Sequence, residues 1–543
     1  MNSGLIAAER GMVATSQPLA VEIGVAVLRD GGTAVDAAIA SSAALGLMEP
    51  YSCGIGGDAF AIVWDNDSRA LYGLNASGRS PLGLSYGALL SELRSLGVEK
   101  IPDRGLLPVS VPGVVDGWFA LHRRFGKIPF AELLLPSIHH CRHGFQVTPV
   151  IATEWAALVA QIADTGVGEF QKLYMRDGRT PGSGEVFSNC ALADSYDAIT
   201  RGGKDEFYCG EIASRIDTFM RQNGGYIRKV DLVAHHSEWV EPVSVNYRGY
   251  DVFELPPCTQ GIAALQMLKI VEGFDLPSMG RNSVQAVHSM LEAKKIVFED
   301  RAKWYADPAA FQTPVRELLS REYARGRRSL IRETALMKIR SGDPLLHNGD
   351  TIYLTTADKE GNMVSFIQSI YFGFGSAAVV PGTGFALQNR GLAFSMDPQH
   401  PNVYAPGKRP FHTIVPGFVL KDDRPWLSFG VMGGDMQPQG HVQILTNIID
   451  FGMDIQEAGD APRWRHNGST TPMDSRDTML SDGGIVYMED GMPDALREGL
   501  RKRGHRVAGN EQLFGGYQAI LKDNRGIYFG ASESRKDGTA AGY

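Results

Sequence analysis

The segment His347–Asn362, HNGDTIYLTTADKEGN, decides the interpretation of the whole chain. A polar, glycine-containing stretch ends at Asp350, and a run rich in β-branched residues begins abruptly at Thr351, as at the start of a strand. Asp358–Asn362 supplies turn residues, and Met363–Phe372 is a second β-prone run. The segment and its continuation therefore predict a β-hairpin.

The sequence on either side of this hairpin predicts further layers. Short β-prone runs occur near Ile414–Leu420, near Trp426–Val431 and in AFAIVWD from Ala59. Residues 18–47 are small and aliphatic around a Gly-Gly stop, which predicts two packed helices, and residues 112–340 have a mostly helical pattern. Strands at the centre with helices outside predict a layered α/β sandwich.

Composition restricts the classes of function. The chain has 543 residues, of which 43% are hydrophobic and 21% charged, and this is an ordinary globular composition. A net charge of −8 gives no electrostatic reason to expect nucleic acid or an anionic membrane as partner, so a small-molecule substrate is expected. The N-terminal residues lack a signal-peptide pattern, and no apolar run is long enough to cross a bilayer, so a cytoplasmic location is expected.

Cofactor and metal motifs are missing from the sequence. The five cysteines are widely spaced without a CxxC pair, so free and mostly buried thiols are expected. GFGSAA at residues 373–378 imitates a dinucleotide fingerprint, but no helical pattern follows, which favours a turn at a strand exit. There is no GxxxxGK[ST], GxSxG or HExxH motif, and we expect neither a metal nor an organic cofactor.

Thr351 has two interpretations. Threonine is a common first residue of a strand because it is β-branched. Alternatively, cleavage of the Asp350–Thr351 bond would free an α-amine beside the hydroxyl. Such an amine has a pKa of roughly 7.7 to 8.0, so it can take the proton of the hydroxyl at neutral pH without any histidine.

Motifs along nearly the whole chain decide between these interpretations. In order, they are GMVATSQPLA, GGTAVDAAIA, MEPYSCGIGGDAF, VPGVVDGW, YRGYDVFELPP, EAKKIVFEDRAKWYADP, KRPFHTIVPG, VMGGD, APRWRH and YFGASESRKDGTAAGY. In this set and order they resemble the gamma-glutamyltranspeptidase family. The resemblance implies a four-layer αββα N-terminal-nucleophile hydrolase fold. It also implies a precursor (zymogen) that cleaves itself into residues 1–350 and 351–543, a heterodimer that remains one αββα unit.

The resemblance also implies roles for individual residues. Thr351 takes the place of the nucleophile, and Ser369 falls where the family has a threonine that hydrogen-bonds the nucleophile. Gly433 and Gly434 fall on the glycines whose backbone N–H groups stabilise the oxyanion. Without the resemblance, these two glycines would be interpreted as a plain loop between strands.

The predicted substrate-binding residues depart from the family pattern. Ser77 occupies the place of the arginine that binds the donor's α-carboxylate, and Arg79 follows two residues later. His412 and Thr413 replace a pair of serines that bind the same carboxylate. The resemblance therefore predicts a carboxylate site with changed residues, in which Arg79 is one candidate.

The positions that receive the donor's α-ammonium differ even more. They hold Tyr371, Arg390 and Ala393, so an acid has been lost and a cation gained. A guanidinium suits a carboxylate or a carbonyl and repels an ammonium group. Pairing of Arg390 with a local acid such as Asp397 is an equally good interpretation.

These observations predict an amide hydrolase or acyltransferase that forms an acyl-enzyme on Thr351. One substrate class is gamma-glutamyl compounds such as glutathione. The first alternative is a short carboxylated amide without the α-ammonium, as in branches similar to cephalosporin acylase and oxamate amidohydrolase. The second alternative is a non-catalytic homologue that binds an acidic ligand. Further oligomerisation of the two subunits is left open.

Overall fold

Two antiparallel seven-stranded sheets form the centre of the computed structural model, which describes residues 4–340, 349–510 and 514–543. The first sheet consists, in spatial order, of Thr539–Gly542, Met12–Thr15, Gly349–Ala357, Met363–Phe372, Asp58–Asp65, Ala70–Ala76 and Glu238–Val240. The second sheet consists of Ile6–Ala8, Tyr528–Ser532, Tyr517–Lys522, Arg424–Val431, Gly417–Lys421, Tyr250–Glu254 and Val243–Tyr247. Their central strands pack against each other.

A helical layer covers the outer face of each sheet. The first layer consists of Pro18–Arg29, Ala34–Met48, Val114–Phe125, Phe130–His143 and Cys190–Gly202. The second layer consists of Gly261–Val271, Val284–Trp304, Met436–Ile449 and Ile455–Asp460. The order of layers is helix, sheet, sheet, helix, and the predicted αββα sandwich is confirmed.

The alanine-rich helix Ala34–Met48 shows why this layering forms. All of its residues are buried, because it lies between the first sheet and its neighbouring helices. Its small side chains allow this close approach on every face. The N-terminus is fixed by a capping box, in which the Thr33 side chain accepts from the N–H of Asp36 and the Asp36 carboxylate accepts from the N–H of Thr33. The two helices predicted for residues 18–47 are confirmed.

The predicted hairpin is also confirmed, with strands Gly349–Ala357 and Met363–Phe372. The first strand begins two residues earlier than Thr351, so no loop directly precedes Thr351. The rest of the polar stretch predicted before Asp350, and the Asp350 side chain, lie outside the described residues. Every residue of the second strand is buried.

The mostly helical pattern predicted for residues 112–340 is incomplete. This stretch also contains two short strands at sheet edges, Glu238–Val240 and Val243–Tyr247, and one next to an edge, Tyr250–Glu254. The last two form a hairpin whose alternating exposed and buried residues are visible in VSVNYRGYDVFE. Such short edge strands are easily overlooked between long helices.

Strands from both sides of the Asp350–Thr351 bond are mixed in both sheets. In the first sheet, Met12–Thr15 lies between Thr539–Gly542 and Gly349–Ala357, and in the second, Tyr528–Ser532 pairs with Ile6–Ala8. Residues 1–350 and 351–543 therefore form one folded unit in the continuous chain. The cut between them stays a prediction.

Smaller elements complete the fold. Further helices are Tyr86–Ser95, Pro149–Ile162, Ala163–Thr165, Phe170–Tyr174, Lys204–Tyr208, Glu211–Gln222, Lys229–Val233, Leu276–Met279, Val315–Leu318, Arg321–Arg328, Arg390–Ala393 and Asp494–Lys502. Small sheets contain Phe145–Gln146, Val167–Gly168, Val186–Phe187, Ile339–Arg340, Ala378–Val379, Trp464–Asn467, Met479–Leu480, Ile485–Met488 and Val507–Ala508. All five cysteines are free thiols, three of them buried. Among the helices of the described residues, none has the length and apolar content that a membrane crossing requires.

Candidate active site

Thr351 lies at an irregularity of the hairpin. Asp350 is opposite Tyr371 and Ile352 is opposite Gln368, so Thr351 alone faces two residues of the neighbouring strand. The extra residue belongs to the strand Met363–Phe372, where Ser369 and Ile370 together face Thr351, and a bulge of this kind changes the local twist of the pair. Thr351 is buried, with 4% of its surface exposed, and it lines a cavity.

The hydroxyl of Thr351 contacts the first turn of the helix Met436–Ile449. Nε2 of Gln437 lies 3.5 Å from Oγ1 of Thr351, a long hydrogen bond. Gln437 is itself fixed, because its Oε1 accepts from the N–H of Val415 at 2.9 Å. This amide contact places the Thr351 hydroxyl, which belongs to the first sheet, at the helix that follows the strand Arg424–Val431 of the second sheet.

Ser369 is one of the two bulge residues that face Thr351. It is fully buried, and its Oγ accepts a hydrogen bond from the N–H of Tyr371 at 2.8 Å. On the other side, Ser369 pairs with Asp58 of the adjacent strand. Ser369 is thus placed next to Thr351 by register, and its bond to the nucleophile stays a prediction.

Gly433 and Gly434 form the loop between Arg424–Val431 and Met436–Ile449. Their φ angles are +107° and +57°, values that residues other than glycine rarely adopt. A Cβ on Gly433 would lie 3.3 Å from Cα of Gly515. In the part of the chain that the structure describes, neither glycine N–H donates a hydrogen bond. Two available donors at a helix N-terminus are suited to a developing oxyanion.

A buried network holds this loop in place. The guanidinium of Arg301 binds Asp435, the residue after Gly434, with Nη1–Oδ1 2.6 Å and Nη2–Oδ2 3.2 Å. Nη1 of Arg301 also donates to Oε1 of Gln260 at 2.6 Å. Nε2 of Gln260 then donates to the carbonyls of Gly434 and Thr413, at 2.9 and 2.6 Å. Burial raises the pKa of the Asp435 carboxyl, but Arg301 outweighs this effect and lowers the pKa below its usual value.

Arg390 is a buried cation with an incomplete set of partners. Nη1 donates to Oγ1 of Thr413 at 3.0 Å, and the guanidinium carbon lies 3.9 Å from the centre of the Tyr371 ring. Nε and Nη2 have no hydrogen-bond partner among the described residues. Burial lowers the pKa of Arg390 to about 10. The alternative partner Asp397 instead accepts from Ser475 and backbone N–H groups, so the local ion pair is not formed.

His412 and an unpredicted acid, Asp58, lie next to Arg390. Oδ1 of Asp58 accepts from the N–H of Gly78 at 2.8 Å and from Nε2 of Gln388 at 2.9 Å. Oδ2 of Asp58 lies 3.7 Å from Nε2 of His412 without a hydrogen bond. Burial raises the pKa of Asp58 to about 7, although Arg390 opposes the shift. Burial and the charge of Arg390 hold the pKa of His412 well below its usual value.

Arg79 is placed in a separate ion-pair group. Its Nη2 lies 2.5 Å from Oε1 of Glu238, which also binds Nη1 of Arg409 at 2.9 Å. Nε of Arg409 donates to the carbonyl of Ser77, the residue at the family's arginine position, at 3.1 Å. Arg79 thus shares the single charge of Glu238 with Arg409, and carboxylate binding by Arg79 stays a prediction.

A cavity of about 240 Å³ opens beside the predicted nucleophile. Thr351, Gly433 and Phe514 line it together with two ion pairs, Lys536–Glu154 and Arg535–Glu489. The predicted nucleophile and one predicted oxyanion glycine therefore share one solvent-accessible space.

The described residues contain one group of side chains with the spacing of metal ligands. His288, Glu292 and His505 are buried and close together. However, Lys295 donates to Glu292 at 2.8 Å, and the two histidines are hydrogen-bonded at 2.8 Å. An ammonium group inside the cluster competes with a metal cation, so we interpret it as a hydrogen-bond network.

The sequence did not point to Asp58, Gln260, Arg301, Gln388 or Asp435 as site residues. Arg301 and Asp435 stand inside the motifs EDRAKWYADP and VMGGD, and Asp58 stands inside GIGGDAF. A charged residue within an apolar or glycine-rich motif was therefore an available signal.

Comparisons with known proteins place the whole chain in one family. The family model "Gamma-glutamyltranspeptidase" matches residues 20–543. The chain is 35% identical to the glutathione hydrolase-like YwrD proenzyme of Bacillus subtilis, over 100% of both chains. It is 32% identical to the oxamate amidohydrolase proenzyme of Klebsiella pneumoniae, over 98% of both. The crystal structure of cephalosporin acylase from Bacillus halodurans is 42% identical, with a TM-score of 0.92 and coverage of 100% and 97%.

Proposed function

The chain belongs to the gamma-glutamyltranspeptidase family, and from this premise we propose that it hydrolyses amides whose short acyl group ends in a carboxylate, through an acyl-enzyme on Thr351. The resemblance found in the sequence is confirmed, and with it the class of amide hydrolase. The identity of the acyl group, the roles of individual residues and the cleavage of the Asp350–Thr351 bond are part of the proposal.

The first step is cleavage of the chain itself. The Thr351 hydroxyl attacks the carbonyl of Asp350, and hydrolysis of the resulting ester leaves Thr351 with a free α-amine. Relatives named as proenzymes support a precursor of this kind. The mixed strands of the two sheets support continued association of the pieces, because their pairing does not depend on the bond that is cut.

In the mature enzyme, the Thr351 hydroxyl attacks the amide carbon of the substrate and its proton passes to the α-amine. The carbonyl oxygen becomes an oxyanion, to which the N–H groups of Gly433 and Gly434 donate. When the tetrahedral intermediate collapses, the C–N bond breaks and the leaving amine takes the proton. Water then gives a proton to the α-amine of Thr351 and attacks the ester carbon; the C–Oγ bond breaks, the carboxylic acid leaves, and the proton returns from the α-amine to Oγ of Thr351. Gln437 and Ser369 position the reacting hydroxyl.

The observation that carries the choice of acyl group is the guanidinium of Arg390. A fully buried cation is costly unless an anion or polar group pairs with it, and Nε and Nη2 have no such partner among the described residues. These two nitrogens form one edge of the guanidinium fork, which fits a carboxylate bidentately. A free carboxylate at the end of the acyl group supplies the missing partner.

A gamma-glutamyl substrate is the second candidate, favoured by the name of the Bacillus subtilis relative and by Asp58. Asp58 is an acid near Arg390 and could receive an α-ammonium. An ammonium group placed there would, however, also be repelled by Arg390. We therefore expect gamma-glutamyl compounds to be the poorer substrates.

Three p-nitroanilides with the same leaving group test the proposal. We expect kcat/KM for glutaryl-p-nitroanilide to exceed that for gamma-glutamyl-p-nitroanilide, which adds the α-ammonium, and that for butyryl-p-nitroanilide, which lacks the carboxylate. Oxamate tests a shorter acyl group with the same charge, through release of ammonia. Equal turnover of the butyryl and glutaryl compounds would contradict the assignment of Arg390, and turnover of the gamma-glutamyl compound alone would favour the second candidate.

A further inference from the structure

Four side chains near Thr413 form a cluster of buried polar groups with incomplete hydrogen bonding. We call Asp58, Gln388, Arg390 and His412 the Asp58 cluster, and all four are fully buried. Atoms without a hydrogen-bond partner among the described residues are Oδ2 of Asp58, Oε1 of Gln388, Nε and Nη2 of Arg390 and both ring nitrogens of His412. Buried polar atoms are rarely left unpaired, so this concentration points to a bound polar group.

The cluster adjoins the reaction centre. Asp58 pairs across the strands with Ser369, which is part of the bulge that faces Thr351. Arg390 is joined through Thr413 to Gln260, and Gln260 to the carbonyl of Gly434. None of the four residues lines the cavity beside Thr351, so an acyl group whose carbonyl reaches the glycine loop has to pass between these contacts to reach the cluster.

The charges of the cluster determine how it receives an anion. With Asp58 ionised, its negative charge balances the positive charge of Arg390. A bound carboxylate would then leave two anions and one cation in a buried space, which is unfavourable. With Asp58 protonated, the same carboxylate and Arg390 form a neutral pair, and the Asp58 hydroxyl becomes a donor.

We propose that Asp58, which faces Arg390 across the cluster without a direct ion pair among the described residues, takes up one proton when an acyl carboxylate binds to the unpaired edge of Arg390. This inference rests on the proposed function for the identity of the acyl group. It adds a residue that determines specificity and makes recognition of the acyl group dependent on pH.

The surroundings of Asp58 are consistent with proton uptake near neutral pH. Burial raises the pKa of Asp58 to about 7, and Arg390 is the strongest charge that opposes this shift. Engagement of Arg390 by a ligand anion removes that opposition, so the pKa rises further. Arg409 also faces Asp58, but Glu238 already pairs with it.

The other titratable groups of this region do not compete for the proton. The pKa of His412 lies well below its usual value because of burial and Arg390. Burial raises the pKa values of Cys258 and Tyr371 to about 12 and that of Tyr208 well above its usual value, so all three stay neutral.

Glutarate, a free dicarboxylate, is the probe for this inference. We expect its affinity for the wild-type protein, measured by calorimetry, to be constant below pH 7 and to fall about tenfold per pH unit above it, because one proton must be taken up. At pH 8, titrations in two buffers of different ionisation enthalpy should report uptake of one proton. An affinity without pH dependence between pH 6 and 9, or absence of proton uptake, would overturn the inference.

Variants separate Asp58 from other buried acids. D58N should bind glutarate with nearly constant affinity across this range, at least as tightly as the wild type at pH 8. D300N is the matched control, because Asp300 is also buried, its pKa is raised to about 6 by burial, and it pairs with Arg327 outside the site. The pH dependence of glutarate affinity in D300N should equal that of the wild type. Should D58N fail to fold, the titrations of wild-type protein in two buffers still show whether glutarate binding takes up a proton.

The inference and the proposed function can fail separately. Glutarate binding requires no chemistry at Thr351, so a pH-dependent affinity without turnover of any anilide would reject the proposed function alone. Turnover of glutaryl-p-nitroanilide with pH-independent glutarate binding would reject the inference alone. The affinity for glutaramide, the uncharged diamide, should be independent of pH in both the wild type and D58N.

Discussion

The guanidinium carbon of Arg390 lies 3.9 Å from the centre of the Tyr371 ring. This contact connects the proposed acyl pocket to the catalytic hairpin, because the N–H of Tyr371 donates to Ser369 in the bulge that faces Thr351. Tyr371 adopts a φ of +81°, which is rare for a residue with a side chain. The proposed recognition of the substrate and the proposed support of the nucleophile thus meet within three residues of one strand.

Replacement of the proposed nucleophile should abolish both cleavage and catalysis. We expect purified wild-type protein to show two fragments on denaturing electrophoresis, and T351A to remain one chain with activity reduced about a thousandfold or more. T351S is the matched control, because it keeps a hydroxyl and should be cut and retain part of the activity. Intact-mass measurement locates the cut. Full activity in a protein uncut between Asp350 and Thr351 would reject the mechanism.

Removal of the guanidinium should affect only substrates that carry the terminal carboxylate. For R390M we expect kcat/KM on glutaryl-p-nitroanilide to fall about 10- to 100-fold, the equivalent of a lost charge-assisted hydrogen bond. Activity on butyryl-p-nitroanilide should stay within a few fold. The melting temperature, measured at pH 6 where Asp58 is protonated, should not decrease, because a buried cation with few partners is replaced by an apolar side chain. An equal loss on both substrates would indicate a structural role instead.

A methyl group on the glycine loop should disturb the oxyanion site. In G433A, the added Cβ approaches Gly515 and the φ of +107° is unfavourable for alanine. We expect kcat to fall about 10²- to 10³-fold, as for loss of an oxyanion donor, with little change in KM. G452A is the matched control, since Gly452 has a φ of +69° and open space around its Cα. A similar loss of kcat in both variants would reject the assignment.

The pH dependence of kcat/KM should differ between substrates. Deprotonation of the Thr351 α-amine should produce a rising limb near pH 8 for every substrate. Only glutaryl-p-nitroanilide should show an additional downward contribution above pH 7, because Asp58, with its pKa raised to about 7, must be protonated for the acyl carboxylate to bind. D58N should remove this difference. Identical profiles for glutaryl and butyryl substrates in the wild type would contradict the prediction.

The sequence predicted the parts of the site that depend on local pattern and family motif. The hairpin, the helix Ala34–Met48 and the loop at Gly433 were found because each is a continuous segment. The bulge opposite Thr351 was not visible, since residues 351–357 and Met363–Phe372 are buried throughout and have no alternation whose phase could change.

Contacts between distant residues were the main part that the sequence could not supply. Asp58 and Gln388 are 330 positions apart, and Arg301 and Asp435 are 134 apart. Only the fold brings such pairs together. The choice between Asp397 and a ligand as partner of Arg390 likewise required the tertiary structure, because sequence proximity favoured Asp397.

The mixing of strands from the two sides of residue 350 has a consequence for preparing the enzyme. Each piece, expressed alone, would present unpaired main-chain groups at sheet positions that the other piece normally occupies. Such open edges promote aggregation. We therefore expect an active heterodimer to be obtained by folding the pieces together, and neither piece to persist as a soluble, independently folded polypeptide.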